Sequence, residues 1–113
     1  MMIVRDTLTF EDLRKAAAGR FGDMVKAVVD VDRELVAVDA ELHADLESLL
    51  LEDGSAQSSL WGINLYPDLP GDQWIEFDSL INMRPSQGNR SRGVEDEAIR
   101  KHVRAVVEKR VAR

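Results

Sequence analysis

Three arginines fall within nine positions of an otherwise acidic chain: Arg84, Arg90 and Arg92, set among Ser86, Gln87, Gly88, Asn89, Ser91 and Gly93. Guanidinium forks grip phosphate or carboxylate oxygens in pairs, and glycines let backbone amides turn toward an anion. The segment therefore reads as an anion-binding loop with Arg84, Ser86, Gln87, Asn89, Arg90 and Arg92 as its contacts and Asn64 as a polar neighbour from the sheet. A phosphate-containing small molecule or a nucleic-acid end suits this chemistry. Gly88 and Gly93 have the glycine spacing of a P-loop, but Val94 and Glu95 follow where Lys and Ser or Thr are needed, so an ATPase is not supported. Glu95, Asp96 and Glu97 come next, at the positive end of an expected helix, where they compete with a bound anion. The same arginines can equally tie the loop to the acidic body.

A second constellation comes from alternation. Asp39, Glu41 and His43 share parity, and on a strand every second side chain projects from the same face about 7 Å from the last. Asp30, Asn64, Glu76, Asp78 and Asn82 can join them from neighbouring strands. Carboxylates beside one imidazole bind a hard divalent cation, here through Asp39, Glu41 and His43. They can also divide acid and base roles in a hydrolytic reaction, here Glu41, His43 and Asp78, with a loop arginine holding developing negative charge. Set against both is a plain solvated sheet face, which antiparallel sheets commonly have. Asp30 to Glu34 resembles the start of a calcium loop, but Leu35 stands where the sixth position must be glycine. Ser86 and Ser91 lack the neighbours of an activated nucleophile. With no cysteine and two histidines, thiol chemistry, a disulfide framework and a Cys/His zinc site are excluded.

These residues must be positioned by one domain, since 113 residues with 44% hydrophobic and 32% charged composition are ordinary for a single globular core over 1–113. The net charge of −6 hides opposed halves: residues 1–83 hold 6 basic against 17 acidic residues, and 84–113 hold 9 against 4. A basic end on an acidic body fits nucleic-acid contact, internal complementarity or salt-dependent self-association into a homo-oligomer. An acid interrupts the apolar start at Asp6 and no apolar run is long enough for a membrane span, so a cytoplasmic location is expected. The Asn89-Arg90-Ser91 triplet fits the glycosylation pattern by chance alone.

Thr9 caps a helix over 10–20, with Asp12 closing a capping box, Leu8 and Leu13 as staple and Gly19 and Gly22 as stop. Alternation from Met24 to Asp32 and from Leu35 to Leu42 predicts a hairpin, followed by a helix over 44–53 that ends at Gly54. Trp61, Ile63 and Leu65 alternate, a Pro-rich turn reverses the chain, and Ile75, Phe77 and Ile81 make the returning strand. Trp61 should be core, and Trp74 should flank the polar face. A loop spans 84–93, and Val94 opens the last helix, with Ile99, Val103, Val106 or Val107 and Val111 as its stripe and His102 on its surface. The expected fold is α+β: a mostly antiparallel sheet of about four or five strands with three helices on one face, in the order (β)αββαββα.

Four stretches carry a resemblance: Gly22 to Asp30, Ala37 to Glu47, Leu60 to Pro67 and Ile81 to Arg92. With Ala-Val-Asp-Ala-Glu-Leu-His-Ala-Asp, Leu-Trp-Gly-Ile-Asn-Leu-Tyr-Pro and Arg-Pro-Ser-Gln-Gly-Asn-Arg-Ser-Arg among them, the chain resembles a small bacterial family catalogued as a domain of unknown function. The resemblance implies one compact domain over nearly the whole chain and transfers no activity, substrate or catalytic residue.

Overall fold

The structure, a computed structural model, describes residues 1–113. Its elements are β1 (Met2–Val4), β2 (Leu8–Thr9), α1 (Phe10–Gly19), β3 (Val25–Asp30), β4 (Leu35–Val38), α2 (His43–Glu52), β5 (Leu60–Leu65), β6 (Ile75–Glu76), α3 (Glu97–Arg110) and β7 (Val111–Ala112). Five strands form an antiparallel sheet in the order β1-β4-β3-β5-β6, and β2 pairs in parallel with β7. The fold is α+β with three helices, as the alternation and the helical stripes imply.

Local chemistry sets the helix ends. The Asp12 amide donates to the Thr9 hydroxyl at 3.0 Å while the Thr9 amide donates to the Asp12 carboxylate at 3.1 Å, so two orphan donors are satisfied reciprocally. The Thr9 amide, and after it the Thr9 hydroxyl, favour the charged carboxylate and hold Asp12 below the usual carboxylate range. The last helix starts later than the apolar pattern suggests. Val94 is buried ahead of it, and Asp96 is the cap, its carboxylate accepting from the amides of Ala98 and Ile99. The pairing of β2 with β7, Leu8 against Val111, ties the start of α1 to the end of α3.

The sheet corrects the expectation of helices on one face. Val25, Ala27, Val29, Val36, Val38, Trp61, Ile63 and Leu65 pack with α1 and α3 in a core of 20 buried residues. On the opposite face Val28, Leu35, Ala37 and Leu60 pack against Leu46 and Leu50 of α2 in a core of 7. The second face is thus the thinner layer, and it is where the polar groups lie. Trp61 is core as expected. Trp74 is also buried, with its ring centroid 4.7 Å from that of Phe10, and does not flank a polar face.

The returning strand of the second hairpin is shorter than its alternation predicts. Only Asn64 with Glu76 and Leu65 with Ile75 pair, after which the chain leaves the sheet and crosses the second face through the turn Leu80–Asn82. Gly62 makes this crossing possible: a Cβ there would lie 2.5 Å from that of Ser79. Where β6 has ended, the Asn82 carboxamide takes its place beside β5. It accepts from the Gly62 amide at 2.8 Å and donates to the Gly62 carbonyl at 2.9 Å.

Candidate functional site

The expected acidic strand face does not form. Strand β4 ends at Val38, and Asp39 turns the chain with a positive φ of 73°. Glu41 follows in the connection with its side chain 79% exposed, and Arg20 serves both acids, at 2.8 Å from Asp39 and 3.9 Å from Glu41. His43 is buried at the first turn of α2, away from them in both surroundings and orientation. No group of three His, Asp or Glu side chains converges as metal ligands would, so the cation site of Asp39, Glu41 and His43 is corrected. The reason is the strand's early end: period-two spacing places side chains together only while the backbone stays extended.

The arginine loop is also rearranged. Arg84 lies against the Trp61 ring with its guanidinium carbon 4.1 Å from the centroid, and it donates to the carbonyls of Gln57 and Leu60, each at 2.6 Å. Its Nε is buried without a partner, and burial lowers the pKa of the guanidinium. Asn89 is the hub of the loop: its amide group donates to the carbonyls of Asn82, Ser91 and Gly93, and its Oδ1 accepts from the Glu95 amide at 2.9 Å. Glu95 in turn accepts from the amides of Arg90 and Ser91, and those bonds hold its carboxyl below the usual range. The amides that would cradle an anion are therefore already bonded to Glu95. Ser86 and Arg90 are exposed, and Gln87 reaches the Ser58 carbonyl at 3.4 Å. The three arginines do not converge on one point.

Arg92 is the exception, because it turns toward the second face of the sheet. There it lines a cavity of about 160 Å³ with Lys26 of β3, Leu42, His43 and Ala44 at the start of α2, and Ser79, Leu80 and Ile81 of the crossing segment. Arg92 Nε is 2.6 Å from Asp78. Lys26 makes no salt bridge, and its ammonium rests 5.4 Å from the centroid of the Phe21 ring. Leu42 occupies the N-cap position of α2 and brings no acceptor, so the first amides of that helix have no side-chain cap.

His43 is fixed in one tautomer. Its Nε2 is 2.8 Å from the Ile63 carbonyl, and a carbonyl only accepts, so Nε2 carries the proton and Nδ1 is left as an acceptor. Burial pushes the imidazole pKa down; the Ile63 carbonyl opposes this, Lys26 adds to it, and Asp78 and Asn64 oppose it weakly. Asn64 is buried in the same layer. It donates to Glu76 at 2.8 Å and to the Asp78 carbonyl at 3.3 Å, while its Oδ1 has no hydrogen-bond partner. His43 and Asp78 thus belong to one neighbourhood and Glu41 does not.

A pH dependence follows. The unfolded ring binds its proton at about 6.5 and the folded ring at a lower pH, so the unfolded state holds more protons in between. Stability is expected to be complete above the unfolded value, to fall as pH drops below it, and to go on falling until the folded ring protonates. Thermal melts from about pH 7.5 to about pH 5 should show this decline, and His43→Gln should flatten it. An unchanged slope in the variant would assign the decline to other groups.

A second cavity, about 300 Å³, is lined by Asp23, Tyr66, Asp68 and Leu69. It is larger but carries only acidic charge, and Asp68 is paired with Arg14 at 2.8 Å, so it offers nothing to an anion. At the basic end of the chain, Lys109 meets Glu34 at 2.6 Å, Arg104 lies 3.8 Å from Asp72, and Arg110 donates to the Glu34 carbonyl. Much of the charge asymmetry is thereby satisfied within the chain.

A family model matches residues 2–110. The chain belongs to the family described as Protein of unknown function (DUF5674). Neither the curated proteins nor the solved structures yield a match. For this DUF5674 member the geometry of its own side chains is therefore the guide to function. No helix is long and apolar enough to cross a membrane.

Sequence reasoning missed Lys26, Ser79 and the apolar rim Leu42 and Leu80. One signal was available: Lys26 is the only basic residue between Arg20 and Arg33, and it shares parity with Asp30 on a strand otherwise made of Val and Ala.

Proposed function

We infer that this DUF5674 chain is a binding module for a small anionic ligand, held in the cavity between β3, the start of α2 and the crossing segment. The observation that carries this reading is the cavity's polar lining, in which Lys26 and Arg92 face the uncapped first turn of α2 beside His43 and Ser79. Two cations and a helix start form a positive recess, and a helix start alone favours negative charge through its free amides. Lys26 makes no salt bridge that an anion would have to displace. The volume suits a single charged group with a short substituent, well below the roughly 300–1,000 Å³ of drug-sized sites. Arg84 and Arg90 have no part in this reading, since Arg84 is committed to backbone carbonyls and Arg90 points to solvent.

The test is an amide chemical-shift titration with acetate and with inorganic phosphate at low ionic strength. Saturable shifts at Lys26, Ala44 and Arg92 are expected for at least one anion, weakened about tenfold in Lys26→Gln, the loss of one charge-assisted contact, and unchanged in Arg90→Gln. Shifts that grow linearly with salt, or that respond equally to both substitutions, would mean nonspecific screening and end the proposal.

A further inference from the structure

The ligand class of the same site can be narrowed, on the reading above that the cavity binds an anion. We propose that the cavity takes an amphipathic monoanion, a carboxylate bearing a short apolar chain, with the carboxylate between Lys26 and Arg92 and the chain against Leu42, Leu80 and Ile81.

Two observations carry this. The first is charge. Lys26 and Arg92 bring two positive charges, but Asp78 holds Arg92 Nε at 2.6 Å and cancels one. Asp45, in the first turn of α2, further offsets the helix start. His43 adds no charge when neutral, and burial and Lys26 both favour that state. One surplus positive charge matches a monoanion, whereas a phosphate dianion would leave uncompensated negative charge beside Asp78. Arg92 keeps its two terminal nitrogens for a carboxylate, which a guanidinium can meet with paired hydrogen bonds.

The second observation is the lining. Four of the eight residues are apolar. Leu42 and Leu80 are 57% and 66% exposed although they border the cavity, an unfavourable disposition for two large apolar side chains flanking one recess. A chain laid between them removes apolar surface from water at about 25 cal/mol per Å². A bare anion covers neither leucine, and a nucleotide is too large for about 160 Å³.

The experiment titrates the intact protein, followed by amide shifts, with hexanoate, acetate, inorganic phosphate and hexylamine. Hexanoate should bind saturably and at least about tenfold more tightly than acetate, as expected from partial burial of its extra methylenes. It should shift Lys26, His43, Leu80 and Arg92, and hexylamine should leave them unmoved. Leu80→Ser, at a position 66% exposed, should leave the fold intact, reduce hexanoate affinity severalfold and leave acetate affinity alone. If acetate or phosphate binds in the cavity as well as hexanoate does, the anion site stands and the ligand class is wrong. Hexylamine binding with hexanoate's affinity would also overturn the class, since the chain alone would then be recognised. If no anion in the set binds saturably, both this proposal and the reading beneath it fall.

Discussion

Replacing Asn82 with alanine is expected to destabilise the fold by about 3 kcal/mol, a fall of roughly 12 °C in Tm for a chain of this length. Asn82 is fully buried, and one carboxamide serves three backbone groups: the Gly62 amide, the Gly62 carbonyl and the Arg92 carbonyl. Alanine leaves all three without that partner, and each buried polar group left unsatisfied costs about 1–3 kcal/mol. The total is set toward the low end because the Arg92 carbonyl keeps a second donor, the Ser79 amide at 2.9 Å. Asn82→Asp should be at least as damaging, because it keeps the acceptor for Gly62 but removes both donors and introduces a buried charge. Urea and thermal melts check this. A loss below about 1 kcal/mol for both variants would mean that the crossing segment is not held by this side chain.

Leu46→Ala should cost a similar amount, about 3 kcal/mol within the 2–5 kcal/mol typical of a fully buried leucine. Leu46 is wholly inaccessible and packs with Val28, Ala37, Leu50 and Leu60 between α2 and the sheet. The change removes its transfer free energy and leaves a void in the thinner of the two cores, which has few neighbours able to collapse into it. Leu51, on the same helix but 39% exposed, is the internal comparison: its alanine variant should stay within about 0.5 kcal/mol of the parent. Equal losses at the two positions would contradict the covering of the second sheet face by α2. That covering also shapes the cavity, since the start of α2 supplies Leu42, His43 and Ala44. Leu46→Ala should therefore weaken anion binding along with stability, whereas Leu51→Ala should change neither.

Much of the local structure was legible because its causes are local. Thr9 and Asp12 close a capping box through bonds that span three residues. The parity of Val25, Ala27 and Val29, and of Trp61, Ile63 and Leu65, is that of one face of the sheet. Glycine and the change of period marked the end of α2 near Gly54, where φ is +106°. The misreadings share one origin. Alternation continues from Leu35 to Leu42 in the sequence, but strand pairing ends at Val38, and Asp39 and Glu41 turn to Arg20 at the surface while His43 is buried against the Ile63 carbonyl. Likewise Phe77 and Ile81 keep the parity of a strand that has no partner beyond Glu76.

The candidate site was readable only in part. Arg92 and His43 belong to it, and both were marked by residue type; Asn64 and Asp78 lie in the same neighbourhood. Lys26 lies on a different strand and Ser79 on the crossing segment, and nothing local to either announces a recess shared with His43 and Arg92. By itself the sequence determined the α+β class, the capping box of α1, the parity of the central strands and the excess of acid in the body over the end. These follow from capping, periodicity and composition, which act over a few residues or over the whole chain at once. Tertiary structure decided which arginine faces a cavity, because guanidinium groups are drawn to whichever carbonyl, ring or carboxylate the packing brings within reach. For Arg84 that is Gln57, Leu60 and Trp61, and for Arg92 it is Asp78 at the edge of the recess.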